Sequence, residues 1–203
     1  MSNKRKNTSG RKYISFKPYI KHRGELVSVN SQGSGIYTHQ TKQAFEQFDR
    51  GVDRWRRMLV INFQLKPPEY AQSDNSIMSQ LRNTLSYFLK VEYNISTIGY
   101  TWCRELEKGK GPHYHFMIWV DGNKVRTPNK INRKVCEIWE AKGGFFWSLR
   151  KYFIYVDSDE ARKDALYWLS YLCKGRGKGY KPAQIKDYST SRLLQVKRKN
   201  EGY

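Results

Sequence analysis

Apolar and polar positions divide the chain into helical and strand-like stretches. "SIMSQLRNTLSYFLKVEY" places Ile77, Leu81, Leu85 and Phe88 at helical spacing. "THQTKQAFEQFDRGVDRWRRM" also reads as helical, with an interruption expected at Gly51. "LVINFQL" (59–65) is a short apolar strand stopped by "KPP". "STIGYTWCREL" and "PHYHFMIWV" are strand-like runs joined by the glycine-containing "EKGKG", which predicts a hairpin. "TPNKINRKVCEIWEAKGG" has a helix start at Thr127-Pro128 and a glycine stop. "FFWSLRKYFIYVD" reads as one strand-like segment. "SDEARKDALYWLSYLCKG" is a helix with Ser158 as N-cap, acids in its first turn and Gly175 at its end. The alternation predicts an α+β domain whose antiparallel sheet carries packed helices.

Weak periodicity marks residues 1–35, which are basic and rich in Ser, Gly and Asn, and these are expected to be a flexible arm. Residues 36–203 are expected to form the domain, ending in a basic C-terminal tail. Charge sharpens the picture: 38 Lys+Arg against 18 Asp+Glu give a formal net charge of +20, which calls for a polyanionic partner. No apolar run approaches the roughly 18 residues of a spanning helix, and "MSNKRKNTSGRK" lacks the apolar core of a signal peptide, so a cytoplasmic protein is expected. The scattered Cys103, Cys136 and Cys173 read as reduced thiols.

Chemistry enters with "HYH". On a strand, positions two apart share a face, so His113 and His115 project side by side. His-x-His alone equally fits two unrelated histidines. The preceding strand adds weight: if Glu105 lies opposite His113, all three side chains share one face. Two imidazoles and a carboxylate with open positions suit Mg²⁺ or Mn²⁺ better than a closed structural zinc site. Glu107 has the same parity and would substitute if the register slipped. On the late helix, Tyr167, Tyr171 and Lys174 fall opposite the side carrying Ala165, Leu166, Leu169 and Leu172. That face reads either as solvated or as a tyrosine nucleophile with a nearby cation. Together the two groups suit one reaction. A metal polarises a scissile phosphate and a tyrosine attacks it, leaving a phosphotyrosine link and a free 3′-hydroxyl.

The motifs resemble the HUH endonuclease superfamily, which includes rolling-circle replication initiators, relaxases and single-strand transposases. "CRELEKGKGPHYHFMIWVDG" is similar to the metal-site hairpin of initiators from small single-stranded DNA viruses, with Glu105 at the carboxylate position. "YLCK" matches their Tyr-x-x-Lys motif, which implies Tyr171 as nucleophile and Lys174 as its lysine. "IWEAKGG" and "LYWLSYLCK" look most like the replication endonucleases of filamentous phages (inoviruses). The likeness covers roughly 57–195. It implies a sheet of about five antiparallel strands in an RRM-like arrangement. It also implies nicking and rejoining of single-stranded DNA at an origin through a 5′-phosphotyrosine link. "YWLSY" raises Tyr167 as a second nucleophile, as in some phage initiators, or as a packing residue.

The expected partner is single-stranded DNA, with an origin hairpin as one form, and unwinding falls to a host helicase and polymerase in a bacterial cytoplasm. Lys4, Arg5, Lys6, Arg11 and Lys12, together with "KGRGKGYK", are candidate phosphate contacts. The competing readings are a transposase or relaxase of the same superfamily, and a non-catalytic binder of single-stranded nucleic acid on the same fold.

Overall fold

The computed structural model describes residues 13–71, 75–106, 111–147, 149–178 and 185–196. Its first elements are the short strands β1 (Ile14–Ser15), β2 (Tyr19–His22), β3 (Glu25–Ser28) and β4 (Ile36–Tyr37). The helix α1 (Thr38–Arg54) leads into the long strand β5 (Met58–Lys66), and α2 (Ser76–Tyr93) follows. Then come the hairpin of β6 (Gly99–Glu105) and β7 (His113–Asp121), the helix α3 (Asn129–Glu140), and the strands β8 (Phe145–Trp147) and β9 (Phe153–Val156). The helix α4 (Asp159–Tyr171) and the strand β10 (Tyr188–Thr190) complete the order.

Six strands make one antiparallel sheet in the order β10-β6-β7-β5-β8, with β9 also pairing β5. Both faces are covered, which is why β5 and β7 read as almost unbroken apolar runs rather than strict alternation. Leu59, Ile61, Phe63 and Leu65 of β5 join Tyr114, Phe116 and Ile118 of β7 on the side packed by α2 and α3. Met58, Val60, Met117 and Trp119 face the other side, against Phe45 and Phe48 of α1 and Leu166 and Leu169 of α4. The α2 stripe of Ile77, Leu81, Leu85 and Leu89 is buried, and Asn94 ends that helix in the left-handed conformation (φ 52°). Ser158 caps α4 as expected, its Oγ accepting from the Ala161 N–H at 3.2 Å. Among the described residues, no helix is long and apolar enough to cross a membrane.

Four sequence expectations are corrected. The arm expected over residues 1–35 is structured from residue 13: Ile20, Val27 and Val29 are buried against α1 and α4. Arg23 and Gly24 join β2 to β3 with positive φ (47° and 89°), the signature of a tight primed turn. Strands this short present one or two inward apolar residues each, too few for a periodic signal. Lys4, Arg5, Lys6, Arg11 and Lys12 lie outside the described residues. Helix α1 runs unbroken through Gly51, where a Cβ would come within 2.7 Å of Trp119. The glycine admits the indole rather than breaking the helix. "FFWSLRKYFIYVD" forms two strands, β8 pairing the Lys66 end of β5 and β9 the Met58 end. The "basic tail" contributes an edge strand, β10, paired to β6.

The fully buried Asp49 ties these layers together. Its carboxylate accepts from Arg162 Nε and Nη2 of α4, both at 2.7 Å, and lies 2.7 Å from His22 Nε2 of β2. Arg162 also donates to Glu25 of β3. Burial pushes the Asp49 carboxyl up, but Arg162 and His22 outweigh it and hold it below its ordinary value. A depressed folded-state value means stabilisation that is complete above the ordinary carboxylate range and lost as pH falls through the depressed value. Asp49→Ala should therefore cost about 3 kcal/mol in urea unfolding at neutral pH, and the cost should shrink on acidification. A second expectation concerns the Trp119 slot. A Cβ at Gly99 would sit 1.8 Å from the Trp119 indole, so Gly99→Ala should lower stability by about 1–3 kcal/mol in the same assay.

Candidate active site

The pairing of β6 with β7 sets the site. Glu105 is opposite His113 and Cys103 opposite His115, so Glu105, His113 and His115 share the face covered by α1 and α4. Glu105 Oε2 lies 3.5 Å from Nε2 of each histidine. Ligand atoms of all three lie within 4.8 Å of one another. Glu105 is fully buried, and both its Oε2 and His115 Nε2 are buried without a hydrogen-bond partner among the described residues. Orphaned buried acceptors cost about 1–3 kcal/mol each, a cost relieved by a cation between them. The donor set, two imidazoles and one carboxylate, therefore fits a divalent metal and leaves positions for water or a phosphate oxygen. Burial pushes the Glu105 carboxyl up, while the two imidazoles and the Lys178 ammonium hold it well below the usual carboxylate range. It is an anionic donor at neutral pH.

Helix α4 delivers the tyrosine. Its inward face of Ala165, Leu166 and Leu169 packs on the sheet, and its last residue, Tyr171, reaches the metal group. The Tyr171 ring meets His115 edge-on at 5.2 Å between centroids. Arg176 Nη2 donates to the phenolic oxygen at 2.6 Å, and its Nε stands 3.9 Å from Glu105 Oε2. Burial, then the Glu105 charge, push the phenol above its ordinary value, with Arg176 opposing. Tyr167, one turn earlier, is 41% exposed.

Lys174 departs from the sequence reading. It does not continue the solvent face of α4 but lies beyond the last helical residue, in a bridge with Ile36, and is buried. Its ammonium donates to Asn30 Oδ1 at 2.9 Å and sits 5.7 Å from the centre of the Tyr171 ring. Asn30, Arg176 and Lys178 are the contributors that sequence reasoning missed. The last two stood in "KGRGKGYK", read only as general positive charge, and Asn30 fell in the expected arm. Glu107 lies outside the described residues.

These contacts predict that Mn²⁺ titrated into the protein binds at a single site per chain. Replacing His113, His115 or Glu105 by Ala should weaken binding by at least about tenfold while the thermal unfolding transition stays cooperative. Equal affinity in all three variants would place the metal elsewhere.

Comparison with curated proteins and with solved structures found no match. Residues 64–176, however, match the family described as replication-associated protein ORF2. The matched span holds Glu105, His113, His115, Tyr171, Lys174 and Arg176 on their shared elements. The chain thus belongs to the replication-associated protein ORF2 family.

Proposed function

We propose that this replication-associated protein initiates rolling-circle replication by nicking single-stranded DNA at an origin and later rejoining it, with Tyr171 as nucleophile. The observation that carries the reading is the packing of the Tyr171 ring on His115, a member of the Glu105–His113–His115 group. In this reading Glu105, His113 and His115 hold a divalent ion, which when bound supplies Lewis-acid polarisation of the scissile phosphate. The Tyr171 oxygen attacks phosphorus, and the bond to the 3′-oxygen breaks. The products are a 5′-phosphotyrosine ester and a free 3′-hydroxyl, and the retained ester makes rejoining possible. Arg176, already bonded to the phenolic oxygen, steadies that atom as its proton leaves, and Lys174 adds positive charge beside the ring.

The proposal extends to membership of the HUH superfamily, with the inovirus initiators as the nearest type, in keeping with the motifs in β6, β7 and α4. Tyr171 is taken as the sole essential nucleophile. Its ring packs on the metal group, whereas Tyr167 is exposed one turn away. The formal charge of +20 supports strong, salt-dependent affinity for DNA.

The test is a denaturing gel for a covalent protein–oligonucleotide adduct. Tyr171→Phe should reduce adduct by at least about a thousandfold, the order expected for a lost covalent nucleophile, while single-strand binding stays near wild type. Tyr167→Phe should nick and rejoin much as wild type does. Mn²⁺ should support cleavage at least as well as Mg²⁺, because imidazole donors favour the softer ion. Adduct on Tyr167 in the Tyr171→Phe protein would overturn the assignment. Binding without any adduct in wild type would indicate a non-catalytic binder.

A further inference from the structure

The candidate metal centre carries little negative charge. Glu105 supplies the only carboxylate of the Glu105–His113–His115 group, and the imidazoles bring none. Against it stands Lys178, a lysine only 7% exposed. Its Nζ lies 3.5 Å from Glu105 Oε1, the oxygen on the far side of the carboxylate from the histidines. The ammonium is fixed from behind, donating to the Lys174 carbonyl at 2.5 Å. The preceding residue is fixed too. Gly177 accepts the Leu106 N–H at 2.8 Å and has a positive φ of 66°, and a Cβ there would lie 3.1 Å from Glu105 Cβ. The chain after α4 is thus strapped across Glu105, and the strap plants a cation on the metal-binding carboxylate.

Divalent affinity is set largely by the charge of the donor set. A buried ammonium beside the one anionic donor repels an incoming divalent ion through a medium that screens poorly. Lys174 and Arg176 add positive charge nearby. The ligand that restores balance is a phosphodiester, which is also the substrate in the reading above, on which this step rests. We propose that Lys178 is a resident cation that suppresses metal binding to the free protein, so that metal and a DNA phosphate load together.

The experiment is calorimetric titration of Mn²⁺ into wild type, Lys178→Met, Lys178→Arg and Glu105→Gln, each alone and saturated with a short oligothymidylate. Tyr171→Phe is present throughout, so that no strand is cut. Without oligonucleotide, Lys178→Met should bind Mn²⁺ about tenfold more tightly than its parent, and Lys178→Arg should not. Oligothymidylate should tighten Mn²⁺ binding in the parent and add clearly less in Lys178→Met. Lys178→Gln serves as a second neutral variant should the methionine protein fail to fold. Unchanged or weaker Mn²⁺ binding in the neutral variants would overturn the inference while leaving the metal reading intact. Mn²⁺ binding no tighter in the parent than in Glu105→Gln, with and without oligonucleotide, would overturn the metal reading itself and this inference with it.

Discussion

The register between β6 and β7 is the constraint on which the rest of the site depends. Side chains alternate along a strand, so a slip of one residue would send Glu105 to the opposite face from His113 and His115. The apolar residues hold the register. Trp102, Tyr114, Phe116 and Ile118 must point to the α2–α3 side, and Cys103, Met117 and Trp119 to the α1–α4 side. A slip would therefore invert the strand's whole apolar pattern along with the donors. The core and the candidate metal centre are specified by one pattern.

The second requirement is that α4 arrive at the correct place. Arg162 in its first turn is bonded to Asp49 of α1 and Glu25 of β3, and its inner leucines lie on the sheet. At the other end, Gln40 of α1 donates to the Leu172 carbonyl at 3.2 Å. With both ends tied, the helix presents Tyr171 beside His115 without relying on the tyrosine's own contacts. This is the preorganisation that nucleophilic chemistry at phosphorus requires.

Much of this was legible in the sequence because it is written in local periods. The β6–β7 hairpin, its parity, the α2 stripe and the Ser158 cap each follow from spacing within a single element. Long-range placement was not legible. Short strands such as β2, β3 and β10 carry too few inward residues to show a period, and their burial comes from partners distant in the chain. Gly51 reads locally as a helix breaker, yet the Trp119 indole that fills its missing side chain belongs to β7. Lys178 illustrates the same limit: in a glycine-rich basic run it looks like one solvated charge among many, and only the strap over Glu105 buries it.

The contacts of Asn30 bear on where the folding unit begins. Its side chain takes the Lys174 ammonium, and its backbone N–H donates to Ser170 Oγ at 2.8 Å, so the segment after β3 forms a wall of the tyrosine centre. The family match starts at residue 64, far downstream of this wall. A truncation to the matched span would remove α1, Asp49 and Asn30 together. It would leave Arg162 and Lys174 without their partners and bare the apolar face of α4. The segment that carries the recognisable motifs is thus shorter than the one that makes them a site, and residues outside the match are part of the catalytic architecture.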